Sequence, residues 1–238
     1  MRMCNGTRFA FGDPDRSKIV GFVPLYTADA LVLRTYKLGE ADRIVVFLTR
    51  DRGKKRGVAK GARRPRSRFT GALEPLTEVR VAYFEKERRE LVGLNYAETH
   101  RSPLVLDNQD ALGYVSYFAE LLDEWAQDGD ADDRLYRLGA SMLDALAVGT
   151  PVEPLARYFE YWLLRLQGVY PESKGTLSDD AIAFLNTARS IAPQQVGRVP
   201  TSLRALRELE QVHRSLIGMH LEKTLKSDRV LRDLRRHA

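Results

Sequence analysis

From Asp29 to Glu98, apolar residues alternate with polar ones or occur in short β-rich runs, and no helical period is present. This pattern predicts antiparallel strands. The third predicted strand has the weakest alternation, because Val58 is its only large apolar residue. The five predicted strands are Ala30–Tyr36, Arg43–Thr49, a segment near Arg56–Lys60, Glu78–Phe84 and Arg89–Glu98.

Short polar turns separate the first two and the last two of these strands, and a long loop connects the third to the fourth. Gly39 supplies the turn between the first two, and the polar residues 85–88 separate the last two. Five short strands in about seventy residues have the size of a small closed barrel, and basic loops are typical of the OB-type barrel that binds single strands. Spacing alone does not separate this barrel from an SH3-like one.

After Pro103 the apolar period changes to 3.6 residues, which predicts helices to the end of the chain. Acidic, threonine and serine residues supply start signals, and glycines mark the ends. The predicted helices run from Asp107 or Asn108 to about Gln127, from the acidic run 128–133 to Gly149, from Thr150-Pro151 to Gly168, from about Ser178, from Thr201 to about Lys223, and from Ser227.

The two patterns predict an α+β, multi-domain chain in which a five-stranded OB-type β-barrel precedes an α-helical domain. We assign residues 1–26 to an N-terminal extension expected to be poorly ordered, 27–104 to the barrel and 105–238 to the helical domain. The extension lacks the apolar region of a signal peptide, and no apolar run is long enough for a transmembrane helix. Cys4 is the only cysteine, which excludes an internal disulfide and fits a reducing cytoplasm.

Charge is concentrated in one place. The chain has 38 basic and 32 acidic residues, a net charge of +6, whereas Arg50–Arg68 alone holds ten Lys or Arg and one acid. We call this nineteen-residue stretch the basic segment; the other 219 residues sum to −3. A block of like charge gains no folding energy from its own composition and usually marks a polyanion site. A solvated basic loop or a targeting signal is the alternative.

Eleven basic side chains are the candidates for contacts with DNA phosphates. They are Arg34, Lys37 and Arg43 around the first turn, with Lys54, Lys55, Arg56, Lys60, Arg63, Arg64, Arg66 and Arg68 in the basic segment. If about four to six phosphates are bound, the logarithm of the affinity should fall with the logarithm of salt with a slope of roughly −3 to −4 on single strands. Tyr36, Phe69 or Phe84 could stack on a base, although barrel packing explains each equally well.

The motifs of catalysis and cofactor binding are not found. The sequence has no phosphate-binding P-loop, no dinucleotide fingerprint and no nucleophile elbow. Glu210 and His213 form a single Glu-x-x-His pair, whereas a di-metal site needs two such pairs and further glutamates. We therefore expect no enzyme activity, no metal and no cofactor.

Three segments carry a family resemblance. Ala30–Arg43 resembles the opening strand and turn of the bacterial RecO recombination mediators. Lys60–Arg64, followed by Ser67 and Leu73–Pro75, is similar to that family's lysine-glycine-alanine-arginine segment. Leu221–Leu231 is similar to its closing segment, so the resemblance spans about residues 27 to 234 in the right order.

The resemblance implies recombinational DNA repair without enzymatic turnover. RecO proteins bind single- and double-stranded DNA, anneal complementary strands, and act with RecR to load RecA onto strands coated with single-strand DNA-binding protein. It also implies a cytoplasmic protein, associated with the nucleoid during repair. One departure is that many members carry four zinc-binding cysteines after a turn like Gly168–Pro171, and none follows here. We therefore expect no zinc role, with the short segment Ser173–Ser190 in place of that module.

The helical domain is expected to bind protein partners, because its acidic balance disfavours DNA. Family members bind the acidic C-terminal tail of single-strand DNA-binding protein there, but no local motif marks the pocket. Arg157 and Arg165, beside Tyr161 and Leu164, are the candidates, and solvated helix charge is the alternative reading. Two other functions stay open for the whole chain: an RNA-binding OB-barrel protein acting on structured RNA, and a non-catalytic interaction scaffold.

Overall fold

The computed structural model describes residues 24–85, 90–106, 109–171, 177–222, 225–227 and 231. Residues 1–23 of the predicted extension and most of the predicted last helix lie outside this range.

Five strands come first: β1 Leu25–Leu38, β2 Asp42–Thr49, β3 Gly53–Ala59, β4 Glu78–Phe84 and β5 Val92–Arg101. Five α-helices follow that lie wholly within the described ranges: α1 Gln109–Trp125, α2 Asp133–Ala147, α3 Val152–Leu166, α4 Asp179–Ala188 and α5 Leu203–Leu221. Short 3-10 helices cover Pro103–Val105 and Pro193–Arg198. The predicted α+β class is confirmed.

The strands form a closed barrel in the order β1-β2-β3-β5-β4, which is the order of an OB fold. All neighbours are antiparallel except β3 and β5, which pair in parallel over three residues, from Gly57↔Val92 to Ala59↔Leu94. We call this short pairing the β3–β5 seam. A Cβ atom at Gly57 would lie 2.0 Å from Leu94 Cδ1, so only glycine allows the seam to close.

Several predicted boundaries were wrong by a few residues. β1 begins at Leu25 rather than Ala30, because its first half pairs with β4 and its second half with β2. β3 begins at Gly53 rather than near Arg56, because its pairing with β2 continues to the turn. Ser202, not Thr201, caps α5, and α3 begins at Val152 with no side-chain cap. The acidic run was interpreted correctly, since Asp132 caps α2.

Both faces of β1 and β2 are buried, which explains their nearly continuous apolar sequences. Ala30, Val32, Val45 and Phe47 point into the barrel. Their neighbours in sequence point out of the barrel and join the core of the helical part; these are Leu31, Leu33, Val46 and Leu48. The helices therefore cover the outer face of β1 and β2.

Gly139 of α2 lies close to the barrel. A Cβ atom there would lie within 2.7 Å of the side chains of Leu122 and Leu31. Glycine thus lets α2 pack directly on β1. None of the helices within the described residues is long and apolar enough to cross a membrane.

Candidate nucleic-acid interface

The basic segment is divided into two parts by its surroundings. Its first part, Arg50–Arg56, forms the β2–β3 turn and most of β3, and we call it the paired half. Its last part, Lys60–Arg68, lies in the loop after β3, and we call it the free half. In the paired half, Arg50 Nε is 2.8 Å from Asp133 Oδ1, and Arg56 Nη2 is 3.7 Å from Asp128 Oδ2. Acids of the α1–α2 connection and the start of α2 therefore neutralise these arginines.

The prediction that Lys54 contacts a DNA phosphate was wrong, because this residue lies inside the fold. Its side chain is buried, and Nζ donates to the backbone oxygen of Asp123 at 2.7 Å. Its backbone nitrogen also donates to Gln127 O at 3.1 Å, and its backbone oxygen accepts from Gly129 N at 3.0 Å. Lys54 therefore joins the barrel to the end of α1 and is not available to a ligand.

Lys55 and Arg34 are also engaged with carboxylates. Lys55 Nζ is 3.0 Å from Glu85 Oε1, and its side chain is only 18% exposed. Arg34 Nη2 is 2.5 Å from Oδ2 of the buried Asp123, which thus serves both Arg34 and Lys54. A phosphate would have to displace these carboxylates to bind Lys55 or Arg34. Neither residue therefore belongs to the candidate DNA surface.

The free half is tied to the β1–β2 turn by three hydrogen bonds. The backbone nitrogen of Arg63 donates to Ala41 O at 2.9 Å, and its guanidinium Nη1 donates to Gly39 O at 2.9 Å. The backbone nitrogen of Gly61 donates to Asp42 Oδ1 at 2.8 Å. Gly39 and Gly61 both have positive φ, so each makes a bend that other residues rarely adopt. Two segments about twenty residues apart in sequence thus form one end of the barrel.

Seven of the eleven predicted cations lie in these two segments, and we call them the cationic surface. All are exposed or half-exposed, and within the described part of the chain none of them has a carboxylate within ion-pairing distance. Two of the seven side chains are also hydrogen-bonded within the barrel: the guanidinium of Arg63 donates to Gly39 O at 2.9 Å, and that of Arg43 donates to Thr35 Oγ1 at 3.2 Å. The seven are Lys37, Arg43, Lys60, Arg63, Arg64, Arg66 and Arg68. Seven unpaired charges at one end of a barrel attract a polyanion.

The three candidate stacking residues differ in exposure. Phe69 is buried in the barrel core, with Arg68 lying 5.1 Å from its ring centre. Phe84 is half-exposed, whereas Tyr36 is 42% exposed and has Arg34 5.1 Å from its ring centre. Phe69 therefore serves packing, and Tyr36 and Phe84 have faces that a base can reach.

In the helical part, the structure contradicts one partner-binding candidate. Arg157 is 3% exposed, with Nη2 2.9 Å from Glu160 Oε1 and Nη1 3.4 Å from Glu210 Oε2. Burial by itself would lower the pKa of Arg157, but the two carboxylates raise it above its ordinary value, so the residue stays charged. Arg157 is a core ion-pair residue, and no partner can reach it.

Arg165 is exposed, as predicted, and it has a neighbour that the sequence did not indicate. Arg165 Nη1 donates to the hydroxyl of Tyr161 at 3.0 Å, and Arg189 Nε donates to the same oxygen at 2.5 Å. Both guanidinium groups lie near the Tyr161 ring, and that of Arg165 also lies near Trp162. Arg189 follows α4, 24 residues from Arg165, so no local pattern could have paired them.

The Glu-x-x-His pair belongs to a buried hydrogen-bond network. His213 Nδ1 is 3.0 Å from Glu160 Oε2, and Tyr117 donates to Glu160 Oε1 at 2.7 Å. Burial would raise the pKa of Glu160, but the charge of Arg157 and the bonds from His213 and Tyr117 hold it below its usual range. Burial lowers the pKa of His213, so its ring is neutral. Within the described ranges, no group of three or more metal-binding side chains is present.

Comparison with known proteins connects this architecture to one family. The family model described as "Recombination protein O N terminal" matches residues 23–103, and the one described as "Recombination protein O C terminal" matches residues 107–176. Together the two matches span well over half of the chain.

Individual relatives agree with the family models. The chain is 42% identical over 152 residues to the DNA repair protein RecO of Koribacter versatilis, covering 62% of this chain and 61% of the relative. It is 37% identical over 158 residues to that of Anaeromyxobacter dehalogenans strain 2CP-1, covering 66% and 59%. With Bifidobacterium adolescentis RecO the identity is 44% over 129 residues, covering 52% and 51%. These matches span about three fifths or less of the length of the relatives.

Proposed function

The chain belongs to the RecO family, and from this premise we propose that it is a DNA repair and recombination mediator that binds single- and double-stranded DNA. It promotes the annealing of complementary strands. Acting with RecR, it helps to load RecA onto strands coated with single-strand DNA-binding protein. It does this in the cytoplasm, at the nucleoid, by binding alone and without catalysis, metal or cofactor.

The observation that supports DNA binding best is the cationic surface. Its seven side chains project from two segments that hydrogen bonds hold together on a rigid barrel. Phosphate contacts of this kind are independent of sequence, because Lys and Arg bind the backbone and not the base edges. Such a surface serves any strand, which is what a repair mediator needs.

Annealing follows from the same charge distribution. Two complementary strands repel each other until base pairing begins, and a dense cationic surface lowers that electrostatic barrier. The acidic surface of the helical part repels the strands less than its composition suggests, because several of its carboxylates are already paired with Arg50, Lys54 and Arg56.

For the protein partners, we propose that the acidic tail of single-strand DNA-binding protein binds at Arg165 and Arg189. The two exposed guanidinium groups converge on one tyrosine hydroxyl beside the aromatic ring of Trp162. Two adjacent cations repel each other, so an incoming carboxylate gains from both. A fluorescent acidic peptide ending in an aromatic residue should lose affinity in the Arg165→Glu, Arg189→Glu variant. Equal binding by this variant and the unmodified protein would exclude the site.

The proposed DNA surface is tested by reversing the charge of Arg63, Arg64 and Arg66 to Glu. We expect binding of a fluorescent single strand, followed by anisotropy at 0.1 M salt, to be lost while the thermal melting curve is retained. The matched control reverses Arg198, Arg204 and Arg207, which are exposed on the helical part and bring the same change in net charge. If both variants bind equally well, the cationic surface is not the DNA site.

Two results would favour the alternative functions. Tighter binding of structured RNA than of DNA of equal length would indicate an RNA-binding barrel protein. Absence of binding to either nucleic acid at 0.15 M salt would indicate an interaction scaffold. The proposed function further requires that complementary strands anneal faster with the protein than without it.

A further inference from the structure

A groove runs along the outer surface of the barrel at the β3–β5 seam, next to the cationic surface. Its volume is about 740 Å³. Its walls are mostly apolar, and two cations of the cationic surface, Lys60 and Arg68, line it as well. The groove is thus an apolar surface that lies directly beside Lys60 and Arg68, two of the cations that we assign to phosphate binding.

The centre of the groove is a residue without a side chain. Gly93 on β5 is paired directly with Val58 on β3 and with Phe84 on β4. Residues directly opposite one another in a sheet point to the same face, so Val58 and Phe84 stand on the two sides of Gly93. Both are half-exposed, and no atom of the described residues lies within 4 Å of the position that a Cβ at Gly93 would take. The sheet therefore has a slot, one side chain wide, between an aliphatic and an aromatic wall.

The dimensions of this slot fit a flat aromatic ring. Neighbouring strands are about 4.8 Å apart, so the backbones that carry Val58 and Phe84 are separated by about 9.6 Å. A planar ring in contact with a wall on each side needs about 7 to 8 Å between those walls. The amide of Asn95 also lines the groove and makes no side-chain hydrogen bond to the residues that the structure describes. It can therefore bond to the edge of a ring.

We propose that this groove binds one unpaired nucleobase of a single strand, while Lys60 and Arg68 bind the flanking phosphates. This inference rests on the proposed DNA-binding function and adds to it a means of telling single strands from duplex. A base in a duplex is stacked and paired and cannot enter the slot without being extruded, which costs a few kcal/mol. The phosphates of either form can reach the cationic surface.

The charges around the groove favour a neutral occupant inside it. Glu90 lines the groove too, and its exposed carboxylate would repel a phosphate there. A base carries no charge and is not repelled. The cations bind phosphate outside the slot, and the slot itself takes the uncharged part of the same nucleotide.

The test compares two DNA strands and two proteins. One strand is oligothymidine, and the other has the same length and the same phosphates but abasic sugars. The protein variant is Gly93→Leu, which places a side chain in the slot at a position where an added Cβ meets no atom of the described residues within 4 Å. We expect the unmodified protein to bind oligothymidine roughly 5- to 150-fold more tightly than the abasic strand, the range for one stacked base. Gly93→Leu should remove this difference and leave its affinity for the abasic strand unchanged.

A matched control is Gly218→Leu, at an exposed position of α5 where a Cβ also meets nothing within 4 Å. This variant should keep the preference for oligothymidine. If Gly93→Leu does not fold, Gly93→Val offers a smaller side chain of high strand propensity for the same test. An equal preference in the Gly93 variant and the unmodified protein would overturn the base-binding groove while leaving DNA binding intact. Failure of both strands to bind any of the proteins would overturn the proposed function as well.

Discussion

Because the basic segment has a paired half and a free half, removing charge from each half should change the salt dependence of DNA affinity differently. Two double variants remove two positive charges each from the same nineteen residues. Arg64→Gln, Arg66→Gln removes them from the free half, and Arg50→Gln, Arg56→Gln removes them from the paired half. By sequence and net charge the two variants are equivalent. In the structure only the first pair lacks a carboxylate partner among the described residues, whereas Arg50 and Arg56 already face Asp133 and Asp128, so a phosphate gains less from them.

The expected size follows from the number of available cations. Each phosphate contact with a single strand contributes about −0.7 to the slope of log affinity against log salt, so seven contacts give a slope of about −5. This is steeper than the −3 to −4 expected from four to six contacts. The free-half variant should have a slope of about −3.5 and bind about 25-fold more weakly at 0.1 M salt, because two contacts are lost. The paired-half variant should keep the slope of about −5.

The assay is anisotropy of a labelled 20-nucleotide strand at five salt concentrations between 0.05 and 0.4 M, with melting curves to confirm folding. Equal changes of slope in the two variants would refute the reasoning, because they would show that total charge governs binding whatever the local pairing. A larger change in the paired-half variant would place the DNA on the opposite end of the barrel.

Two further predictions concern stability. Gly57→Ala should destabilise the fold by about 1–3 kcal/mol in urea unfolding, because the added methyl overlaps Leu94 at the β3–β5 seam, whereas Gly93→Ala should change it little. A larger loss in Gly93→Ala than in Gly57→Ala would contradict the packing described for the seam. Stability should also fall as the pH drops below about 6.5. In the unfolded chain His213 binds a proton below that pH, whereas burial lowers the pKa of its ring in the folded protein and keeps it neutral. Protonation therefore favours the unfolded state. The His213→Gln variant should lose this part of the pH dependence; an unchanged slope between pH 5.5 and 7 would assign it to other groups.

The barrel could be predicted from sequence because its signals are local. Alternation, turn residues and strand length gave five strands, and only their ends needed tertiary information. β1 is the clearest example, because its first residues are fixed by pairing with β4, more than fifty residues away. Propensity at Leu25 and Tyr26 could not show that partner.

The candidate site was predictable as a segment but not as a set of residues. Lys54 and Lys60 stand six positions apart in one basic block, yet one is buried and the other exposed. The difference comes from Asp123, 69 positions away from Lys54 in sequence. Arg157 was misjudged for a related reason: Glu160 lies only three positions away, but its second partner, Glu210, is contributed by a different helix. Charge pairing over such distances leaves no periodic signal.

The arrangement of the cationic surface also limits how much of a strand one molecule can occupy. Seven contacts at one end of the barrel correspond to a site of about seven nucleotides or fewer, near the short end of the range for OB folds. The helices that cover β1 and β2 add the bulk of the helical part beside this contact. On a long strand, neighbouring molecules would therefore be spaced by their bulk and not by their binding sites. If DNA binds as proposed, the bases between them would stay uncovered, and a complementary strand could begin to pair there while the protein remains bound.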